Sequence, residues 1–85
     1  MEFIIPKSNE VFYLTTDFND SKNHIVLKVI HTKSRTKVFW YLDRKFTGIT
    51  ENIHEMEVLP KIGKHIITAM DELGNEISRE IEILK

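Results

Sequence analysis

The sequence contains no cysteine, only two prolines and three glycines, and no long apolar run. Each scarcity removes a class of protein. Without cysteine there is neither a disulfide framework nor a thiolate metal site. Gly48, Gly63 and Gly74 are too scattered to build a phosphate-cradling loop. No stretch approaches the ~18 consecutive apolar residues of a membrane span, and the N-terminus lacks the basic-then-apolar pattern of a signal peptide. An excess of either charge is also lacking: the net charge is −1 and the pI is near 6.4. A nucleic-acid-binding domain shows a basic face or a pI above about 9, so nucleic acid is not an expected partner.

What is present suits a small folded domain. Hydrophobic residues make up 41% and charged residues 29% of the 85 positions, which argues against disorder. Residues 1–85 are expected to form one domain, excised from a longer chain, with a small core; a chain this short buries only about 60–65% of the surface it exposes when unfolded.

Short β-patterned segments separated by turn formers run through the whole chain. Residues 2–5 form an apolar run stopped by Pro6, as at the edge of a sheet. Residues 11–15 are rich in β-formers, and residues 17–23 (D-F-N-D-S-K-N) read as a loop from which Phe18 tucks onto the core. Residues 24–32 place Ile25, Leu27 and Val29 on one face and Val26, Lys28 and Ile30 on the other. The second face is only partly polar, which predicts a central strand or one covered on both sides. In residues 38–43 (V-F-W-Y-L-D), Val38, Trp40 and Leu42 point one way, and Phe39, Tyr41 and Asp43 the other.

A strand over 46–50 follows, with Gly48 suggesting a bulge or a bend. Residues 51–59 are ambiguous: Ile49, Ile53, Met56 and Leu59 lie at helical spacing, while His54, Met56 and Val58 line one face of a strand. The strand is favoured because both neighbours are strands joined by short turns. Residues 64–70 put His65, Ile67 and Ala69 on one side before the hairpin D-E-L-G-N, where Gly74 suits positive φ. Residues 76–84 close the chain with Ile77, Ile81 and Ile83 inward; Arg79 alone breaks that row. About seven short strands with regular turns predict an all-β, immunoglobulin- or fibronectin-III-like β-sandwich.

Catalytic chemistry finds no foothold in this pattern. His24, His31, His54 and His65 form no H-x-x-x-H pair. His24 and His31 lie about 23 Å apart along one strand at ~3.3 Å per residue, too far to share an ion. His54 and His65 can neighbour each other on adjacent strands, but any further ligands would have to be carboxylates. The histidines are read as buried or half-buried groups bonded to backbone, with no metal and no cofactor. Ser8, Ser21, Ser34 and Ser78 sit in loops or on a polar face, outside any G-x-S-x-G turn or S-x-x-K motif. The pairs Glu55/Glu57 and Glu80/Glu82 have the two-residue spacing of a solvated strand face, whereas acid–base work needs carboxylates opposed across a cleft. No catalytic residue is assigned.

The aromatics give the one candidate surface. If Trp40 faces the core, Phe39 and Tyr41 face outward, and Phe46 on the next strand can join them. Such a cluster is either an interaction surface or a face covered by residues 17–23 or by a neighbouring domain.

Taken in order, several segments resemble one family. They are F-I-I-P-K-S-N-E-V-F at the start, V-F-W-Y-L-D-R-K followed by Gly48, H-E-M-E-V-L-P, G-K-H-I-I-T-A-M-D, and G-N before the alternating closing strand. This series resembles the C-terminal domain of penicillin-binding protein 1C, the bifunctional peptidoglycan synthase. Such domains often carry Asp-Gly after the tryptophan strand. Here Asp43–Arg44 stands there, which predicts a longer loop with a type I turn in place of a two-residue primed turn.

The resemblance implies a non-catalytic, periplasmic module of a membrane-anchored glycosyltransferase/transpeptidase. Its implied partners are the transpeptidase domain of the same chain, a cell-envelope protein, or peptidoglycan. Two alternatives stand beside it: a carbohydrate-binding module using Phe39, Tyr41 and Phe46 as a stacking platform, and a generic fibronectin-like spacer of a surface protein.

Overall fold

A computed structural model describes residues 1–13, 25–33, 35–58 and 60–84. The expected loop at 17–23 with Phe18, the end of the second strand at 14–15, and His24, Ser21, Ser34 and Leu59 lie outside the described residues. The described elements are all strands: β1 (Glu2–Ile5), β2 (Glu10–Tyr13), β3 (Ile25–Ile30), β4 (Lys37–Leu42), β5 (Lys45–Glu51), β6 (His54–Val58), β7 (Gly63–Asp71) and β8 (Glu76–Leu84). They form two sheets, one of three strands in the order β1-β3-β6 and one of five in the order β2-β8-β7-β4-β5. The fold is the expected immunoglobulin/fibronectin-III-like sandwich.

Eight strands are described, one in each β-patterned segment of the sequence, against a count of about seven, and the start of the chain serves both sheets. β1 pairs antiparallel with β3, while β2 pairs parallel with β8. Pro6 lies between them, buried and without an N–H to extend the first ladder. The following turn is closed by the Glu10 N–H on the Lys7 carbonyl and by the Lys7 N–H on the Glu10 carboxylate.

Alternation along each strand decides which face is buried. Phe3, Ile25, Leu27, Val29, Val38, Trp40, Val58, Ile67, Ala69, Ile81 and Ile83 fill the space between the sheets. Trp40 is fully buried, and the ring of Phe3 meets it edge-on at 6.4 Å. β3 is central in its sheet, as its pattern predicted, yet Val26 and Ile30 on its outer face are exposed. The ambiguous segment resolves as strand: β6 pairs with β3 along its length, setting Met56 opposite Leu27 and His54 opposite Val29. Arg79, the break in the closing row, has its guanidinium 5.4 Å from the centre of the Phe3 ring. A cation over an aromatic face therefore sits where another isoleucine would have been expected.

The hairpin after β4 departs from expectation. Leu42 pairs directly with Lys45, and the two residues between them both have positive φ, 51° at Asp43 and 69° at Arg44. This is a two-residue primed turn, not a longer loop with a type I turn. Asp43 is held in that conformation from β7. Its N–H donates to the Ile66 carbonyl, and its carboxylate accepts from the Ile66 N–H at 2.8 Å and from His65. Aspartate also tolerates the left-handed region better than most residues.

The bulge expected at Gly48 is present. Trp40 pairs with Gly48 but Tyr41 pairs with Phe46, leaving Thr47 extra. A Cβ at Gly48 would lie 2.8 Å from the Met56 methyl carbon, so the bare backbone admits the side chain of β6.

Candidate interaction surface

β4 runs between β5 and β7, and its outward residues sit within a row of apolar neighbours. Phe39 is flanked by Ile49 on β5 and Met70 on β7; Tyr41 is flanked by Phe46 and Thr68. The rings of Tyr41 and Phe46 meet edge-on, 5.8 Å between centres. Phe46 is 57% exposed, Ile49 and Ile66 are exposed, and Phe39, Tyr41 and Met70 are half-buried by their neighbours. A shallow groove of about 260 Å³ runs beside Tyr41, between Arg44 and Glu76, with Thr68 and Met70 on its floor. The structure thus brings Phe39, Tyr41 and Phe46 onto one face, as predicted.

Ile49, Thr68, Met70, Arg44 and Glu76 complete this face and were missed from sequence. The alternation of β7 carried the signal for Thr68 and Met70, since an inward His65–Ile67–Ala69 row leaves Ile66, Thr68 and Met70 outward. Ile49 needed the β5 register, which the bulge at Gly48 shifts.

The histidines take a different arrangement from the expected one. His54 and His65 belong to different sheets, so they are not neighbours on adjacent strands. His54 instead faces His31, with ring centres 6.4 Å apart. Its Nδ1 lies 2.8 Å from the Thr50 hydroxyl, which accepts the Trp40 indole N–H at 2.8 Å. His31 accepts the Lys33 N–H at Nδ1, and its Nε2 therefore carries a proton and donates to Asp71 at 2.9 Å. Buried Asp71 also accepts from the N–H groups of Leu73 and Asn75 and from the Asn75 amide, closing the β7–β8 hairpin around Gly74 with its φ of 90°. The hydrogen bond from His31, then those from Asn75 and Leu73, hold the Asp71 carboxyl far below the usual carboxylate range.

His65 faces two acceptors, Asp43 through Nδ1 and the Lys61 carbonyl through Nε2. Partial burial pulls its pKa down, but the bonds to Asp43 and Lys61 and the carboxylate charge outweigh this and raise it. Asp43 in turn is raised by desolvation, yet the His65 and Ile66 bonds bring it below the ordinary value. His54 is shifted down by burial first and by the neighbouring His31 second.

Among the described residues no group of three or more metal-ligating side chains is placed to hold an ion. Glu55 and Glu57 lie outward on β6, and Glu80 and Glu82 project from β8, in the spacing of a strand face. Ser78 lies 3.2 Å from the Thr68 hydroxyl on the same outer face.

Comparison with solved structures places the fold. The fibronectin(III)-like modules of Clostridium thermocellum CbhA match with a TM-score of 0.67 and 18% sequence identity, covering 98% of this chain and 92% of theirs. At that identity the likeness speaks for architecture alone. No curated protein matches the chain. The Penicillin-Binding Protein C-terminus Family matches residues 1–83, which takes in every segment of the resemblance noted above. The chain belongs to the penicillin-binding protein C-terminus family.

Proposed function

We propose that this chain is a non-catalytic accessory domain of a bifunctional, extracytoplasmic penicillin-binding protein. In this reading it docks on the transpeptidase domain of the same protein, or on a cell-envelope partner, through the outer face of β4, β5 and β7. The observation that carries the reading is the row of Phe39, Tyr41, Phe46, Ile49 and Met70 on a sheet whose other face already forms the core. Exposed apolar area of this kind, rimmed by charges such as Arg44 and Glu76, suits a protein interface.

The test is to titrate the transpeptidase domain with the chain and with a Tyr41→Ala/Phe46→Ala variant. Affinity is expected to fall at least tenfold, as for a central aromatic pair, while the melting temperature changes little. Unchanged affinity would remove the face from the interface, and turnover of lipid-linked glycan or of a β-lactam reporter by the chain itself would overturn the non-catalytic reading.

A second reading has its own observation. The groove beside Tyr41 sets one aromatic ring among Arg44, Glu76 and Thr68, a mixture that suits a sugar ring, and its volume of about 260 Å³ is small. Titration with muropeptides, using wild type and Tyr41→Ala, separates this reading from protein docking.

A further inference from the structure

Two imidazoles meet between the sheets, and each reaches across to the opposite one. His54, on β6 of the three-stranded sheet, is 4% exposed and joins Thr50 and, through it, Trp40 of the five-stranded sheet. His31, just after β3, bonds Asp71 at the end of β7 in the five-stranded sheet. The rings stand edge to face, and Nε2 of His54 is buried with no hydrogen-bond partner. We infer that His54 is an acid-labile latch between the two sheets, one that holds the β5–β6 corner closed while its ring is neutral.

Both nitrogens of His31 are engaged, Nδ1 by the Lys33 N–H and Nε2 by Asp71, so His31 gives His54 no acceptor. Thr50 accepts the Trp40 N–H and has a second lone pair for the Nδ1–H of His54, which leaves Nε2 as the bare nitrogen of the neutral ring. An added proton goes there and makes a buried imidazolium whose Nε2–H has no acceptor.

The surrounding charges do not relieve this. β3 offers Val29 opposite His54, β5 offers Thr50, and β4 offers only the indole N–H. Asp71, from β7, is engaged by His31, Leu73 and Asn75 and bonds none of the nitrogens of His54. The charged side chains of the neighbouring strands lie on exposed faces: Lys37 stands opposite Glu51 in the β4–β5 register, and Lys28 opposite Glu55 in the β3–β6 register. Burial, and then the nearness of His31, lower the pKa of His54 in support of this geometry.

The sign is therefore fixed. In the unfolded or opened chain the His54 imidazole titrates near ~6.5, while in the closed latch burial resists the proton. Closure is fully favoured above that pH and is lost as pH falls below it. The inference is independent of what the aromatic face binds.

Amide hydrogen exchange of the chain between pH 7.5 and 5.5, corrected for intrinsic rates, tests it. Opening of the β5–β6 corner, read at the amides of residues 50–56, is expected to rise by up to tenfold per pH unit for one proton taken up. The His54→Asn variant keeps a polar atom near Thr50 and should lose most of that slope. If the wild-type corner shows no excess opening in acid, or if His54→Asn keeps the full slope, there is no latch. Should the variant fail to fold, the carbon-bound ring protons of wild-type His54 decide: a midpoint at or above that of a free imidazole overturns the proposal.

Discussion

A tryptophan at the centre of a small sandwich has to bury a large ring and also find an acceptor for its N–H. Trp40 meets both demands, the first against Phe3 and the second on Thr50. Trp40→Ala is expected to cost about 3–5 kcal/mol in chemical denaturation, a large part of the ~5–15 kcal/mol that holds a domain together. A loss under about 1 kcal/mol would place Trp40 outside the core. Its facing was legible from the alternation of Val38, Trp40 and Leu42. Its partner was not, because Thr50 comes within reach only through a register that the Gly48 bulge shifts. Arg79 was visible as a break in an apolar row, but nothing local to it names Phe3 as the ring it covers. Residue patterns report facing; they do not report which distant residue stands opposite.

The β4–β5 hairpin makes the same point at the next scale. Its existence was legible in Asp43 and Arg44 between two apolar runs, whereas its turn type was misjudged, because the support for positive φ comes from β7. That support is titratable. The raised pKa of His65 means its contribution is present below about 6.5, the unfolded value, and is lost as pH climbs through the folded one. The lowered pKa of Asp43 means its contribution is present above about 3.9 and fades in acid. The clip therefore contributes most between these limits. Melting temperatures of wild type and Asp43→Asn at pH 6 and pH 8 check this. The advantage of wild type should be larger at pH 6, and an equal or larger advantage at pH 8 would contradict it. Because His54 is present in both proteins, its opposite response to acid cancels in the comparison.

Over the whole molecule, the sandwich class was legible in short alternating strands and regular turns, and the family in the order of its segments. That the first two strands join different sheets was not, since pairing between chain ends leaves no local pattern. β2 lies parallel to β8, with Glu10 through Tyr13 matched to Ile81 through Leu84. In mechanical terms this is a shear joint. A pull that draws the start of β2 backward and the end of β8 forward strains every pair of that ladder together, instead of opening them one by one. β8 is backed in turn by its long pairing with β7. Held by its two ends in a force-spectroscopy experiment, the chain should resist more strongly than when it is held at Tyr13 and Leu84, where the same ladder peels. Equal forces in the two geometries would show that the joint lies elsewhere. A domain tethered at one end and docked at the other would pass tension along its length before it gave way.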